Sequence, residues 1–380
     1  MYIEVKLPRE IVKPTKAMET VFAAIHGAIY NPPDWWETYI EGQPQTGTCF
    51  DIISVGGIIH FYIRFHSDHR EQVEAAVYSQ YPEAEIEAVP DYTNNVPLNI
   101  PNKDWMLYGW DYKLEKQDHY PLLTYKDFEE PGEKEEEKVD PLASLMEGLA
   151  KIKPGEQMWI QIRASPRGEA DHKKFFKEGE ALRDKLAFRK VEEKAAPLWS
   201  SLAKFIFQGV SEEEEKPQEL IPLEMKLTPG ERKNIEDIER KISKPIFMCG
   251  IRVIYLGRKE VWYKPNFRLA FNYFNNFNNQ DNNSLSVWSR TFTRTHKSWF
   301  LPFNYLVPRL NYIKQRRLFR VYKGRDNYLV PLMDGDRGRF ILNIEELATL
   351  YHFPSQEVAP TPGIHRTEAK ETVAPFNLPT

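Results

Sequence analysis

Cysteine is scarce in this chain: Cys49 and Cys249 are the two among 380 residues, far apart and in no C-x-x-C pair. That excludes the cysteine framework of a small secreted domain and makes a reducing compartment the simplest expectation. Long apolar runs are missing too. No stretch approaches the ~18 apolar residues of a membrane span, and the opening MYIEVKLPRE lacks the basic and apolar regions of a signal peptide. The expected location is therefore cytoplasmic. An excess of charge of one sign is also lacking. With a net charge of -4 and a pI near 6.2, nothing drives the whole chain toward nucleic acid or anionic lipid, so any such binding must come from a local patch. Catalytic signatures are absent as well: there is no G-x-x-x-x-G-K-[ST] phosphate cradle, no strand-borne G-x-G-x-x-G, no H-E-x-x-H and no G-x-S-x-G elbow. A self-sufficient enzyme is not expected, nor is a bound cofactor.

What the chain does have is apolar and aromatic content, 41% and 13%, enough for a large core and two or more domains. Tyr2 to Leu7 alternates as a half-buried strand, and Met18, Val21, Phe22, Ile25 and Ile29 recur at helical spacing. Cys49 to Val55 and Ile58 to Phe65 flank Gly56-Gly57, which suits the positive φ angles of a tight hairpin. Asp68 with Glu71 predicts a capping box ahead of Val73, Ala76 and Val77. Glu83 to Val89 closes the unit as a strand. This order is the βαββαβ ferredoxin-like motif.

A second copy follows, stretched by insertions. Met106 to Leu114 reads as a strand, Asp140-Pro141 starts a helix, and Gln157 to Ala164 is a strand. Thr228-Pro229-Gly230-Glu231 is a complete helix start before Ile235, Ile238 and Ile242. Ile246 to Leu256 reads as a buried strand. Phe267, Phe271, Phe274 and Phe277 then sit at helical spacing, which favours core packing over base stacking, before Ser284 to Trp288. KAMETVFAAIHG parallels DPLASLMEGLAK, and IIHFYIRF parallels GIRVIYLG. The expected fold is thus α+β, with ferredoxin-like modules at 1–100 and 101–300, the second carrying an acidic loop at 128–138 and an inserted helical region at 166–226. A basic segment at 301–354 and an extended C-terminal linker or tail at 355–380, rich in proline and polar residues, complete the chain.

His60, His66 and His69 are the nearest approach to a metal cluster, but no cysteine or clear carboxylate completes a four-ligand set, so no metal site is expected. A short apolar stripe, Leu198, Trp199, Leu202, Phe205 and Ile206, reads as a core helix in preference to a membrane-surface one. The SEEEEKPQE connector at 211–219 is a solubilising loop. The main electrostatic feature runs from Arg290 to Arg339. Arg290, Arg294, Arg309, Lys314, Arg316, Arg317, Arg320, Lys323 and Arg325 are its candidate nucleic-acid or partner-binding residues. They are interleaved with aromatic residues such as Tyr305, Tyr312, Phe319 and Tyr322, a pattern that suits single-stranded nucleic acid, where cations follow phosphate and rings stack on bases. A solvated basic face, or a surface for an acidic partner, accounts for the same pattern.

Near the C-terminus, ILNIEELATLYHFPSQEV resembles the stretch just before the nucleotide-binding core in ATPases of the type IV secretion and conjugative coupling class. The matching residues are Leu342, Asn343, Glu345, Glu346, Leu347, Ala348, Thr349, Leu350, His352, Phe353 and Pro354. EVKLPRE, KAMETVFAAIHG and FYIRFHSDHREQVEAAVYSQYPEAEIEAV are similar to the region preceding such ATPases. None of the ATPase motifs is present, so no catalytic residue carries over. The resemblance implies a non-catalytic accessory or N-terminal domain working with a DNA-translocating ATPase or a membrane-anchored neighbour at the inner face of the plasma membrane. Glu345, Glu346, Leu347, Leu350, His352 and Pro354 are the expected ATPase-docking residues, and DNA and peripheral membrane contact are further candidate partnerships. A free-standing single-stranded nucleic-acid-binding protein is the alternative.

Overall fold

The structure, a computed structural model, describes residues 1–8, 13–30, 47–128, 140–187, 227–295, 301–325, 338–354 and 364. The apolar stripe around Trp199, the 211–219 loop, nearly all of the 128–138 loop and all but Ile364 of the 355–380 tail lie outside these residues.

Six elements come first: β1 (Tyr2–Lys6), α1 (Thr15–Ile29), β2 (Thr48–Val55), β3 (Ile58–Arg64), α2 (Arg70–Gln80) and β4 (Glu85–Val89). The next group is β5 (Trp105–Leu114), α3 (Tyr125–Phe128), α4 (Ala143–Ala150), β6 (Glu156–Pro166), α5 (Glu169–Leu186) and α6 (Pro229–Ile242). Then follow β7 (Ile246–Arg258), α7 (Arg268–Asn275), β8 (Leu285–Val287), α8 (Leu301–Gly324), β9 (Phe340–Asn343) and α9 (Ile344–Leu350). The strands form one nine-stranded sheet in the order β4-β1-β3-β2-β6-β7-β5-β8, with β9 added beside β7. Every neighbouring pair is antiparallel, and the two halves of the chain join where β2 runs against β6, from Thr48 opposite Ala164 to Val55 opposite Gln157.

Local chemistry explains the turns and helix starts. Gly56 and Gly57 close the β2–β3 hairpin with φ of 59° and 92°, conformations that an L side chain rarely adopts. A Cβ on Gly57 would lie 2.7 Å from the carbonyl oxygen of Ala150, so the turn also lets α4 dock closely. Thr228 and Glu231 cap α6 reciprocally. The Asp68 capping box is corrected: a 3-10 turn, Ser67–His69, precedes α2, whose N-cap His69 makes no side-chain cap bond. In that turn the His69 amide already donates to the His66 carbonyl.

Alternation along the strands sends side chains to two faces. The first face is sealed by helices and holds the main core, with Ile3, Phe50, Ile52, Ile63, Ile160, Val253 and Tyr255 from the strands. Residues of α1, α2, α4, α7 and α9 pack on it. Burying each such side chain contributes roughly 1.5–3 kcal/mol. The second face carries Tyr2, Ile53, Tyr62, Leu107, Trp159, Ile254 and Leu256, covered by Leu318, Phe319 and Tyr322 of α8. A polar row also crosses this second face in register, Glu4–Tyr62–Asp51–Gln161–Arg252–Asp111.

Candidate functional site

Helix α8 is amphipathic with one face inward. Val307, Leu318, Phe319 and Tyr322 are buried, and three polar side chains on the same side tether the helix. Asn311 accepts from the Thr295 amide at 2.7 Å, Lys314 donates to the Phe292 carbonyl at 3.4 Å, and Gln315 donates to the Leu107 carbonyl at 2.7 Å. The spacing 307, 311, 314, 315, 318, 319, 322 is that of a single helical stripe.

The C-terminal end of α8 is locked by Arg325. Its φ is 55° and it is only 4% exposed. The guanidinium lies 5.0–5.4 Å from the ring centroids of Tyr2, Tyr92 and Tyr322. It donates to the Tyr2 hydroxyl, to the Tyr322 carbonyl and to Asp91 at 3.1 Å. Next to this cage, the Tyr92 hydroxyl donates to Asp51 at 2.8 Å and stands 2.7 Å from the Tyr322 hydroxyl. Because Tyr92 has one hydroxyl hydrogen, the chain runs from Tyr322 through Tyr92 to Asp51. Burial pushes the Asp51 carboxyl up to about 6, against the opposing pull of the Arg325 charge and the Tyr92 hydrogen bond. Burial likewise raises Tyr92 and Tyr322. These groups join the start of β1, the middle of β2, the 91–92 turn and the end of α8, holding the helix on the sheet.

The opposite side of α8 faces solvent. Tyr305 is 87% exposed, Leu306 53%, Tyr312 47% and Ile313 51%, and Arg309, Arg317 and Arg320 are exposed with them. Positions 305, 306, 309, 312, 313, 316, 317 and 320 again fall on one helical face. Residues 301–325 hold seven Lys and Arg and no Asp or Glu. Arg316 contacts the Tyr312 ring and hydroxyl, and Lys323 donates to the Asn94 side-chain oxygen at 2.8 Å. Among the described residues no carboxylate pairs with Arg309, Arg316, Arg320 or Lys323. A shallow cavity of about 290 Å³ opens beside them, lined by Leu98, Arg316, Phe319, Arg320 and Lys323.

The structure thus divides the cationic residues singled out in the sequence. Arg309, Arg316, Arg317, Arg320 and Lys323 gather along the outer side of α8, while Lys314 and Arg325 serve its attachment to the sheet. Arg290 and Arg294 are exposed on the preceding loop.

The 342–354 segment has a different environment. Glu345, Glu346, Leu347, Leu350, His352 and Pro354 are all buried against this chain's own groups. Asn343 and Glu346 form a capping box at the start of α9. Glu346 pairs with the fully buried Lys241 at 3.0 Å and accepts from the Leu122 and Asn343 amides. Burial raises the Glu346 carboxyl. For Glu345, burial is opposed by Lys244, Lys126 and Thr124, whose hydrogen bonds hold its carboxyl below the usual range. Lys244 also reaches Glu19 of α1 at 2.5 Å, and His352 binds Asp140 at 2.9 Å. As folded, these residues are a keystone between α1, α6 and the β5–α3 connection, not an exposed strip.

His60 contacts Glu4 at 2.6 Å and His66 contacts Asp68 at 3.3 Å. Among the described residues no group of three or more His, Cys, Asp or Glu is arranged to hold a metal ion, and no helix is long and apolar enough to cross a membrane. Compared with known proteins, the chain matches no family model and no curated protein.

Proposed function

We propose that this chain is a non-catalytic interaction module that works beside a DNA-translocating ATPase of the type IV secretion and conjugative coupling class at the inner face of the plasma membrane, with the outer side of α8 as its working surface. The observation that carries this reading is the division of labour along α8. One side is tied into the sheet by buried groups, while the other displays arginines and large apolar side chains to solvent. The resemblance of 342–354, 4–10, 16–27 and 61–89 to the region preceding such ATPases supplies the machine.

We read the architecture as two ferredoxin-like units. The strand orders β4-β1-β3-β2 and β8-β5-β7-β6, the first built from βαββαβ and the second from the same order of strands with α3, α5 and α6 added, and both with the antiparallel pairing that motif requires, support this. The two units would be fused edge to edge through β2 and β6.

Residues 342–354 are buried within this chain. Removing 341–380 would take most of β9 and all of α9 out of the core, so the informative change is on the outer side of α8: Arg309→Ala with Arg316→Ala and Arg320→Ala. Unaltered full-length chain used as bait is expected to capture the ATPase, and the triple variant to lose it. No capture by either protein would overturn the reading.

Single-stranded nucleic acid is the second reading, favoured by Tyr305 and Tyr312 standing among the arginines. It predicts affinity that falls steeply with salt and weakens in an Arg316→Ala, Arg317→Ala, Arg320→Ala variant.

A further inference from the structure

The outer side of α8 exposes more than charge, and its apolar members decide what fits it. Leu306 and Ile313 are about half exposed, seven residues apart and so two turns along the same face. Leu98, 67% exposed, adds a third aliphatic side chain beside the cavity formed with Arg316, Arg320 and Lys323. A phosphate backbone rewards the cations, and bases reward the tyrosine rings. Neither offers a receptor for three aliphatic side chains. A lipid interface offers both. Aliphatic groups enter the boundary between headgroups and acyl chains, tyrosines sit at headgroup level, and arginines bury their stems while their guanidinium groups meet phosphate.

We propose that the outer side of α8, together with Leu98, lies on an anionic phospholipid surface, with a headgroup phosphate seated among Arg316, Arg320 and Lys323. The helix lies in the plane of the interface and does not cross it. Charge complementarity selects the partner: the five cations along the outer side, Arg309, Arg316, Arg317, Arg320 and Lys323, with no acidic side chain over 301–325, match an anionic leaflet, which attracts each nearby cation and does so less as salt rises. The inference rests on the reading of the α8 outer side as the working surface and names what that surface touches.

Co-sedimentation of the full chain with vesicles tests it. Vesicles of phosphatidylcholine alone are compared with vesicles containing phosphatidylglycerol, and a fluorescent single-stranded oligonucleotide is titrated separately. The expected result is binding to the phosphatidylglycerol vesicles and little to neutral ones. Arg316→Ala and Arg320→Ala should each weaken binding about fivefold. Leu306→Ser with Ile313→Ser should weaken it further at every salt concentration. Both sets lie on the exposed side of the helix, and unchanged thermal melting verifies that the fold is kept. Vesicle binding indifferent to the leucine and isoleucine changes would overturn the inference. Oligonucleotide binding without vesicle binding, or binding of neither, would overturn it, while the reading of α8 as the working surface stands or falls separately with capture of the ATPase.

Discussion

Lys241→Met removes the cation from an ion pair in which both side chains are fully buried. Breaking such a pair on one side typically costs about 3–5 kcal/mol, because the remaining charge stays buried without its counter-ion. Two features of the structure put the expected loss at the lower end, about 3 kcal/mol. Glu346 keeps the Leu122 and Asn343 amide donors, and the Tyr120 carbonyl abandoned by Lys241 still accepts from Asn283. Urea unfolding followed by tryptophan fluorescence measures the loss. With an m-value of about 3 kcal/mol per M or more, the midpoint should fall by up to about 1 M. The effect should also depend on pH. Glu346 already titrates above the usual carboxylate range because it is buried, and losing Lys241 raises it further. A carboxyl with a raised folded pKa favours the fold when protonated and works against it as pH rises. The deficit should therefore be largest at neutral pH and shrink on acidification. A loss below about 1 kcal/mol, or one independent of pH, would refute the assignment of Glu346 and Lys241 as a buried keystone.

Other perturbations test separate parts of the fold. The rise of Asp51 from an ordinary 3.8 to about 6 means that its ionised form destabilises the native state, so wild-type stability relative to Asp51→Asn should drop by roughly 2 kcal/mol between pH 4 and 7; a flat difference in denaturant titrations would count against the buried Tyr322–Tyr92–Asp51 chain. His352 is raised by Asp140 against the opposing effect of burial, so its contribution is full below about 6.5 and disappears as pH rises through its folded value. Melting curves of Asp140→Asn should lack that alkaline decline. Gly57→Ala forces a Cβ against the Ala150 carbonyl at positive φ and should cost about 1–3 kcal/mol in thermal unfolding, with no cost meaning that the hairpin relaxes freely.

Much of the scaffold was legible because it rests on short-range patterns. The alternation in Tyr2 to Leu7 and Cys49 to Val55, the helical spacing of Met18, Phe22 and Ile25, the Gly56-Gly57 turn and the Thr228–Glu231 box each imply an element on their own. The environment of 342–354 was hidden for the opposite reason. Asn343 followed three residues later by Glu346 is a capping-box signal that was available in the sequence. The burial of Glu345, however, depends on Lys126, Lys244 and Thr124 from distant elements. The inner stripe of α8 was masked by Pro308 and by cations on both sides of the helix. The Arg325 cage draws on residues 2, 91, 92 and 322, which only the assembled sheet brings together. Asp68 shows a local signal overridden: a 3-10 turn took the place of the capping box.

Selective nitration of tyrosines tests the working surface most directly. Tyr305 and Tyr312 are exposed, whereas Tyr2, Tyr92 and Tyr322 are buried behind the same helix. In the free chain the first two should react and the others stay unmodified. On addition of phosphatidylglycerol vesicles, Tyr305 and Tyr312 should become protected with the buried set unchanged. Undiminished labelling of Tyr305 in vesicle-bound protein would contradict the account.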